Sequence, residues 1–223
     1  MKISVIIPAL NEEGAIGRAI LSARGSYEVI VVDGGSGDGT RAEAAKHGAR
    51  VIQSGRGRGL QMEEGAKVAS GDIVLFLHAD TRLPAGWHVA VGRAMSAAGV
   101  VGGAFRLKID SPRTVFRLIE GAANMRAHYL GLIFGDQAIF TGRDTFFTLP
   151  SLRSLPLMED VECVKRLRRI GKVKIVRASV VTSHRRWGKG IALSTTVKNW
   201  GILIRYLLGV SPEKLYLRYY QNR

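Results

Sequence analysis

The chain has 223 residues, 46% apolar and 23% charged, with no long low-complexity stretch, which suits one ordered domain and excludes a disordered chain. Its 33 basic and 18 acidic residues leave a net charge of +15, able to draw in nucleotide phosphates, anionic headgroups or nucleic acid; zinc-finger spacing and the aromatic RNP pattern are absent, so no nucleic-acid partner is expected. The lone Cys163 excludes an internal disulfide, no apolar run reaches the roughly 20 residues of a membrane span, and the early Glu12-Glu13 pair argues against a secretory leader, so a cytoplasmic protein is expected.

In chain order, Ile3 to Ile7 forms a first apolar strand, and a helix opens at Asn11, which can cap it while Glu12 and Glu13 face its positive end. A strand at Val29 to Val32, a helix from Thr40 to His47, a short strand at Arg50 to Ile52 and a helix from Leu60 to Ser70 follow. Ile73 to Leu77 reads as a fully buried strand. Val- and Ile-rich strands separated by helices predict an α/β domain whose mainly parallel sheet carries helices on both faces. The second half predicts a mixed sheet, with strands at Val100 to Arg106, Ala138 to Phe140 and Lys174 to Ser183, and helices at Thr114 to Met125 and Asp160 to Ile170. From Leu193 onward the pattern is helical, broken at Gly209 and restarted by Ser211-Pro212-Glu213.

Sheets of this kind bind ligands at the carboxyl ends of their strands. The second strand ends in Asp33-Gly34-Gly35-Ser36-Gly37-Asp38-Gly39-Thr40, a carboxylate and a glycine-rich turn suited to a nucleotide base or ribose; Asp38 or Thr40 capping the next helix is the competing reading. The first turn, Pro8-Ala9-Leu10-Asn11, has no glycine, which argues against a dinucleotide fold. Asp80, in His78-Ala79-Asp80-Thr81, should emerge at the same sheet edge as Asp33, where a carboxylate can bind Mg²⁺ or Mn²⁺; His78 is a candidate second ligand. The basic loop Ser54 to Gln61, with Arg58 at a helix start, suits phosphate. Asp136 and Gln137 precede a short strand, and Glu159 and Asp160 open a helix, where a carboxylate can complement the dipole or act as general base. In Ser183-His184-Arg185-Arg186-Trp187, two guanidinium groups that suit phosphate lie beside an indole that can stack on a sugar.

Read together, these segments resemble the family 2 glycosyltransferases of GT-A fold. Val5-Ile6-Ile7-Pro8-Ala9-Leu10-Asn11-Glu12-Glu13 and Val31-Val32-Asp33-Gly34-Gly35-Ser36-Gly37-Asp38-Gly39-Thr40 are similar to that family's two N-terminal signatures. The resemblance implies a donor-nucleotide site at Pro8, Leu10, Asn11, Glu12, Asp33 and Gly34, continued by Arg58, Gln61, Ala79, Asp80, Arg186 and Trp187. His78-Ala79-Asp80 stands in place of the D-x-D metal motif, with His78 replacing its first aspartate. Glu159-Asp160 stands in place of the acidic pair, so Asp160 is implied as catalytic base beside Glu159, with Asp136 and Gln137 on the acceptor side. Arg185-Arg186-Trp187 looks like the Q-x-x-R-W element, but Ser183 occupies the glutamine position, which argues against processive polymer synthesis. Within the family the set is most like a small bacterial branch labelled arsenosugar-biosynthesis-type glycosyltransferases.

The resemblance implies a UDP- or GDP-linked sugar donor, a divalent metal (Mg²⁺ or Mn²⁺), an inverting transfer to a hydroxyl acceptor, and a catalytic domain over 1–190, whose residues 1–110 bind nucleotide and 111–190 the acceptor. Residues 191–223 are read as amphipathic helices. Their mixture of Trp200, Ile202, Leu203, Ile204, Leu207 and Leu208 with Lys198 and Arg205 suits core packing, a homodimer interface or the inner membrane surface, where a lipid-linked acceptor would lie. Two rival readings are a nucleotidyltransferase acting on sugar phosphates and a non-catalytic protein binding a membrane surface or a partner.

Overall fold

The computed structural model describes the backbone of residues 1–187 and 192–221 and the side chains of 1–185 and 196–218. Strand β1 (Ile3–Ala9) is buried on both faces because apolar side chains occupy its successive positions: Val5 and Ile7 point to one layer and Ile6 to the other. It lies between β2 (Glu28–Asp33) and β4 (Ile73–Phe76), parallel to both, with β3 (Arg50–Gln53) parallel to β2 at the edge. The joining helices are α1 (Glu13–Ser22), α2 (Thr40–Lys46) and α3 (Arg58–Val68).

Beyond β4 come β5 (Thr81–Arg82), α4 (Trp87–Met95), β6 (Val100–Asp110), α5 (Thr114–Met125), β7 (Ile139–Gly142) and α6 (Arg143–Thr148). The chain continues through α7 (Glu159–Ile170), β8 (Lys172–Ser183), α8 (Ala192–Leu207) and α9 (Pro212–Gln221). The eight-stranded sheet has the order β3-β2-β1-β4-β7-β6-β8-β5, with β7 antiparallel to both neighbours and β6 parallel to β8. This is the expected mixed sheet. One layer packs Ile16, Ile20, Trp87 and Val91 against it, and the other packs Met62, Ala66, Phe146 and Leu167, so helices cover both faces.

Several local expectations change. Asn11 does not cap α1: it adopts a left-handed φ of 54°, Glu12 takes the cap position, and the helix opens at Glu13. Neither Asp38 nor Thr40 caps α2, whose N-cap is Gly39; the Asp38 carboxylate accepts instead from the Thr40 N–H. Strand β6 continues to Asp110, beyond the expected Arg106, because Phe105-Arg106-Leu107-Lys108-Ile109-Asp110 alternates inward and outward. Leu107 there has no β7 partner; Asn124 of α5 accepts its N–H at 2.8 Å and donates to its carbonyl at 3.0 Å. Strand β5 and helices α4 and α6 were not expected from the sequence. The C-terminal segment is in part core: Ile202, Leu203 and Leu215 pack on Met158 and Val161 at the start of α7. No described helix is long and apolar enough to cross a membrane.

Candidate active site

Strands β1, β2 and β4 end side by side, and the turns after them are stitched together by side chains. The Asn11 N–H donates to the Ser36 hydroxyl at 2.9 Å, and the Asn11 side-chain oxygen accepts the Gly37 N–H at 2.9 Å. The Glu12 N–H donates to Thr40 at 2.8 Å, and the Glu13 carboxylate accepts the Gly39 N–H at 3.1 Å. Gly35 has φ +91°, a conformation that demands glycine.

Asp33, expected to meet the base or ribose, sits beneath this turn. It has no exposed surface, and its oxygens accept the N–H groups of Gly35 and Ser36 at 3.1 Å and the Ser36 hydroxyl. As folded, Asp33 shapes the turn from below. Gln61 is likewise turned inward, donating to the carbonyls of Ala9 at 3.0 Å and Val32 at 2.7 Å, so it ties β1 to β2. Gly34 is buried beside that amide, and its N–H donates to Ala9 at 2.9 Å. Leu10 is exposed at the tip of the first turn, and Ala79 is buried.

The metal-motif residues separate. His78 lines a cavity with Pro8, Arg58, Gly135, Glu159 and Asp160, whereas Asp80 lines a neighbouring crevice with Arg18, Arg82, Asp110 and Ser183. Among the described residues no three His, Cys, Asp or Glu side chains gather as a metal site. With Asp110 of that crevice engaged by Arg82, the half-buried Asp80 carboxylate fits Mg²⁺ or Mn²⁺ where phosphate oxygens and water complete the shell, the usual mode for Mg²⁺. Asp80 also lies in the field of Arg185, whose pKa is raised chiefly by its hydrogen bond to Glu12 and further by Asp80. That Glu12–Arg185 ion pair ties the loop after β1 to the turn after β8. The side chains of Arg186 and Trp187 lie outside the described residues.

Asp160 stands at the first turn of α7, its Oδ2 accepting the Gly135 N–H at 2.6 Å and its Oδ1 the Val161 N–H at 2.7 Å. The fit is close: a Cβ on Gly135 would fall 2.6 Å from His78 Nε2 and 3.3 Å from Asp160 Oδ2. Glu159 is buried beside it, 3.5 Å from the Arg58 guanidinium. Burial pushes the Glu159 carboxyl up to about 7, the Asp160 charge adds to the rise, and Arg58 opposes it.

A second cavity lies on the far side of Gly135, between α5 and α8. Leu107, Ile119, Ala123, Phe134 and Trp200 give it apolar walls, and Arg126 and Asp136 its charge. The Arg126 guanidinium stacks 3.6 Å from the Phe134 ring centre, and its Nε donates to the Leu132 carbonyl at 2.9 Å. Burial lowers its pKa, with Asp136 and Asp160 pulling it back. Of the two acceptor-side residues only Asp136 faces this cavity. Gln137 is wholly buried and donates to the Phe105 carbonyl at 3.0 Å, so its side chain fastens the turn before β7 to β6. Arg126 and Trp200 were not singled out as site residues, although Arg126 follows Ile119 and Ala123 at helical spacing on the inward face of α5.

The three described non-glycine residues with positive φ are Asn11, Ala138 and Met158, and all lie in the turns that build these cavities. Strained backbone of this kind gathers at functional sites.

The chain is similar to known proteins. The family model for glycosyl transferase family 2 matches residues 4–150. An uncharacterized glycosyltransferase of Mycobacterium tuberculosis is 35% identical over 85 residues, 38% of this chain and 39% of that protein. The glucosyl-3-phosphoglycerate synthase of the same species is 37% identical over 92 residues, 35% of this chain and 28% of that protein. The aligned stretch thus spans well under half the length of these relatives. The crystal structure of that synthase with phosphoglyceric acid superposes with a TM-score of 0.62 and 25% identity, covering 80% of this chain and 70% of that one. Its complex with Mn²⁺, uridine diphosphate and glucosyl-3-phosphoglycerate gives a TM-score of 0.60 and 26% identity, with the same coverage. With the family model matched over residues 4–150, more than half of its length, the chain belongs to glycosyl transferase family 2.

Proposed function

We propose that the protein transfers a sugar from a nucleoside diphosphate sugar to the hydroxyl of an acceptor, with inversion at the anomeric carbon. The observation that carries this reading is the placing of Asp160 in one cavity with Pro8, Arg58, His78 and Glu159. A uridine diphosphate donor is favoured by likeness to the synthase solved with that nucleotide.

In this reading the first and second turns, held by Asn11, Asp33 and Gly34, receive the base and ribose, and Arg58 and Arg186 attract the diphosphate. Asp80 would hold Mg²⁺ or Mn²⁺ together with diphosphate oxygens, and the metal supplies neutralising charge to the leaving diphosphate. His78, facing Asp160 and Gly135, borders the sugar. Asp160 takes the acceptor hydroxyl proton as the new oxygen–carbon bond forms and the bond to the diphosphate breaks, releasing the nucleoside diphosphate. The hydrogen bonds to Gly135 and Val161 hold that carboxylate in place. The cavity between α5 and α8 admits the acceptor past Asp136 and Arg126. A lipid-linked acceptor and a place at the inner face of the membrane belong to the same reading. Membership of the arsenosugar-type branch is supported by the Leu-His-Ala-Asp-Thr, Gly-Asp-Gln, Met-Glu-Asp-Val and Arg-Arg-Trp set.

Asp160→Asn tests the chemistry. Nucleotide release from UDP-glucose should fall about a thousandfold, the usual scale for loss of a general base, while UDP binding is kept. Turnover near that of the parent protein would remove Asp160 from the role.

A further inference from the structure

Helices α5 and α8, which wall the acceptor cavity, pack against each other and carry apolar side chains on their outer faces as well. On α5 and the π-helical turn that continues it, Leu118, Met125 and Tyr129 are each more than half exposed; the same holds for Val197, Ile204 and Leu207 on α8 and for Leu208 just after it. The spacings 118/125 and 197/204 each mark one face of a helix. These outward stripes are distinct from the inward Ile119, Ala123, Ile202 and Leu203, which the core accounts for. Exposed apolar area of this kind marks an interaction surface.

The charge around it selects the partner. Arg113, Lys198, Lys214 and Arg218 are exposed on or beside α5, α8 and α9, and Arg117, also exposed, is paired with the half-buried Glu120; the single exposed carboxylate among the described residues of the three helices is Glu213. Apolar stripes flanked by lysine and arginine are the composition of helices that lie in the headgroup layer of an anionic bilayer. A protein partner of ordinary surface would leave this excess of positive charge unmatched. We propose that the outer face of α5 and α8 docks on an anionic lipid surface, so that the cavity between the two helices opens toward the membrane. The proposal deepens the transferase reading by naming the surface from which the acceptor arrives, and it rests on that reading for its purpose though not for its test.

The full chain is sedimented with phosphatidylcholine vesicles with and without phosphatidylglycerol. The protein should pellet with the anionic vesicles and stay in solution with the neutral ones. The double substitution Leu118→Asp and Ile204→Asp should lower the bound fraction about tenfold, with circular dichroism and UDP binding unchanged. If that pair unfolds the protein, Leu208→Asp carries the same expectation, since its side chain is 78% exposed and takes no part in the core. Parent protein remaining in solution with anionic vesicles at low salt overturns the proposal. A dimer in sedimentation velocity that the double substitution dissociates, without vesicle binding, assigns the face to a second copy and overturns it too. UDP binding, measured beside these, fails only if the transferase reading fails.

Discussion

Glu159 ties the candidate site to the stability of this protein. Its carboxyl titrates near 7 in the folded chain against an ordinary value of 4.5, chiefly because it is buried and secondly because Asp160 is charged beside it. Between those values the folded protein keeps the proton and the unfolded chain gives it up. The stabilising contribution is therefore whole below about 4.5 and is lost as pH rises through about 7. Relative to Glu159→Gln, which cannot titrate, the parent should lose on the order of 3 kcal/mol across that interval, measured as urea midpoints against pH. Parallel curves for the two proteins would contradict it. At this scale the sequence was informative about residue type and less so about direction. Asp33 ends β2, Gln137 lies in the turn before β7 and Gln61 in α3, but their polar atoms are spent on backbone groups of neighbouring segments. A spacing argument cannot see which of two oxygens or amides faces inward. Arg126 escaped notice for the opposite reason, since an arginine on an apolar helix face reads as a surface residue until Phe134 and Asp136 are brought against it from another segment.

At the scale of elements, α8 matters through what it covers. Leu203 is fully buried against Met158, Val161 and Leu215, and Met158 holds the left-handed turn from which α7 and Asp160 start. Leu203→Ala should cost about 3 kcal/mol by leaving a cavity there, and it should lower transfer as well, because Asp160 loses its support. Leu207→Ala, on an exposed position, should change stability by less than about 0.5 kcal/mol. Thermal or urea unfolding of the two variants checks the contrast, and equal losses would contradict the packing. The strands and helices of the first half were legible because a parallel sheet buries both faces and leaves continuous apolar runs, as at Ile3 and Ile73. The two-residue β5 is too short to carry a pattern, and α4 follows directly on Pro84-Ala85-Gly86, which reads as a turn. The C-terminal helices were legible as amphipathic, but their two apolar faces, one inward and one outward, were not separable without the α7 surface that takes the inner one.

For the whole molecule, the sheet order does what no single segment can. Placing β7, β6 and β8 beyond β4 brings the start of α7 and the turn before β7 to the edge where β1, β2 and β4 end, so that Pro8, Arg58, His78, Glu159 and Asp160 share one cavity. The net charge of +15 suits both a diphosphate inside and an anionic surface outside. The most direct test of this arrangement is calorimetric titration of the purified chain with UDP, with and without Mn²⁺, repeated on Asp80→Ala. The account predicts binding of UDP that strengthens with Mn²⁺ and loses that dependence in the variant. Absence of UDP binding under all conditions, or equal Mn²⁺ dependence with and without Asp80, would contradict it.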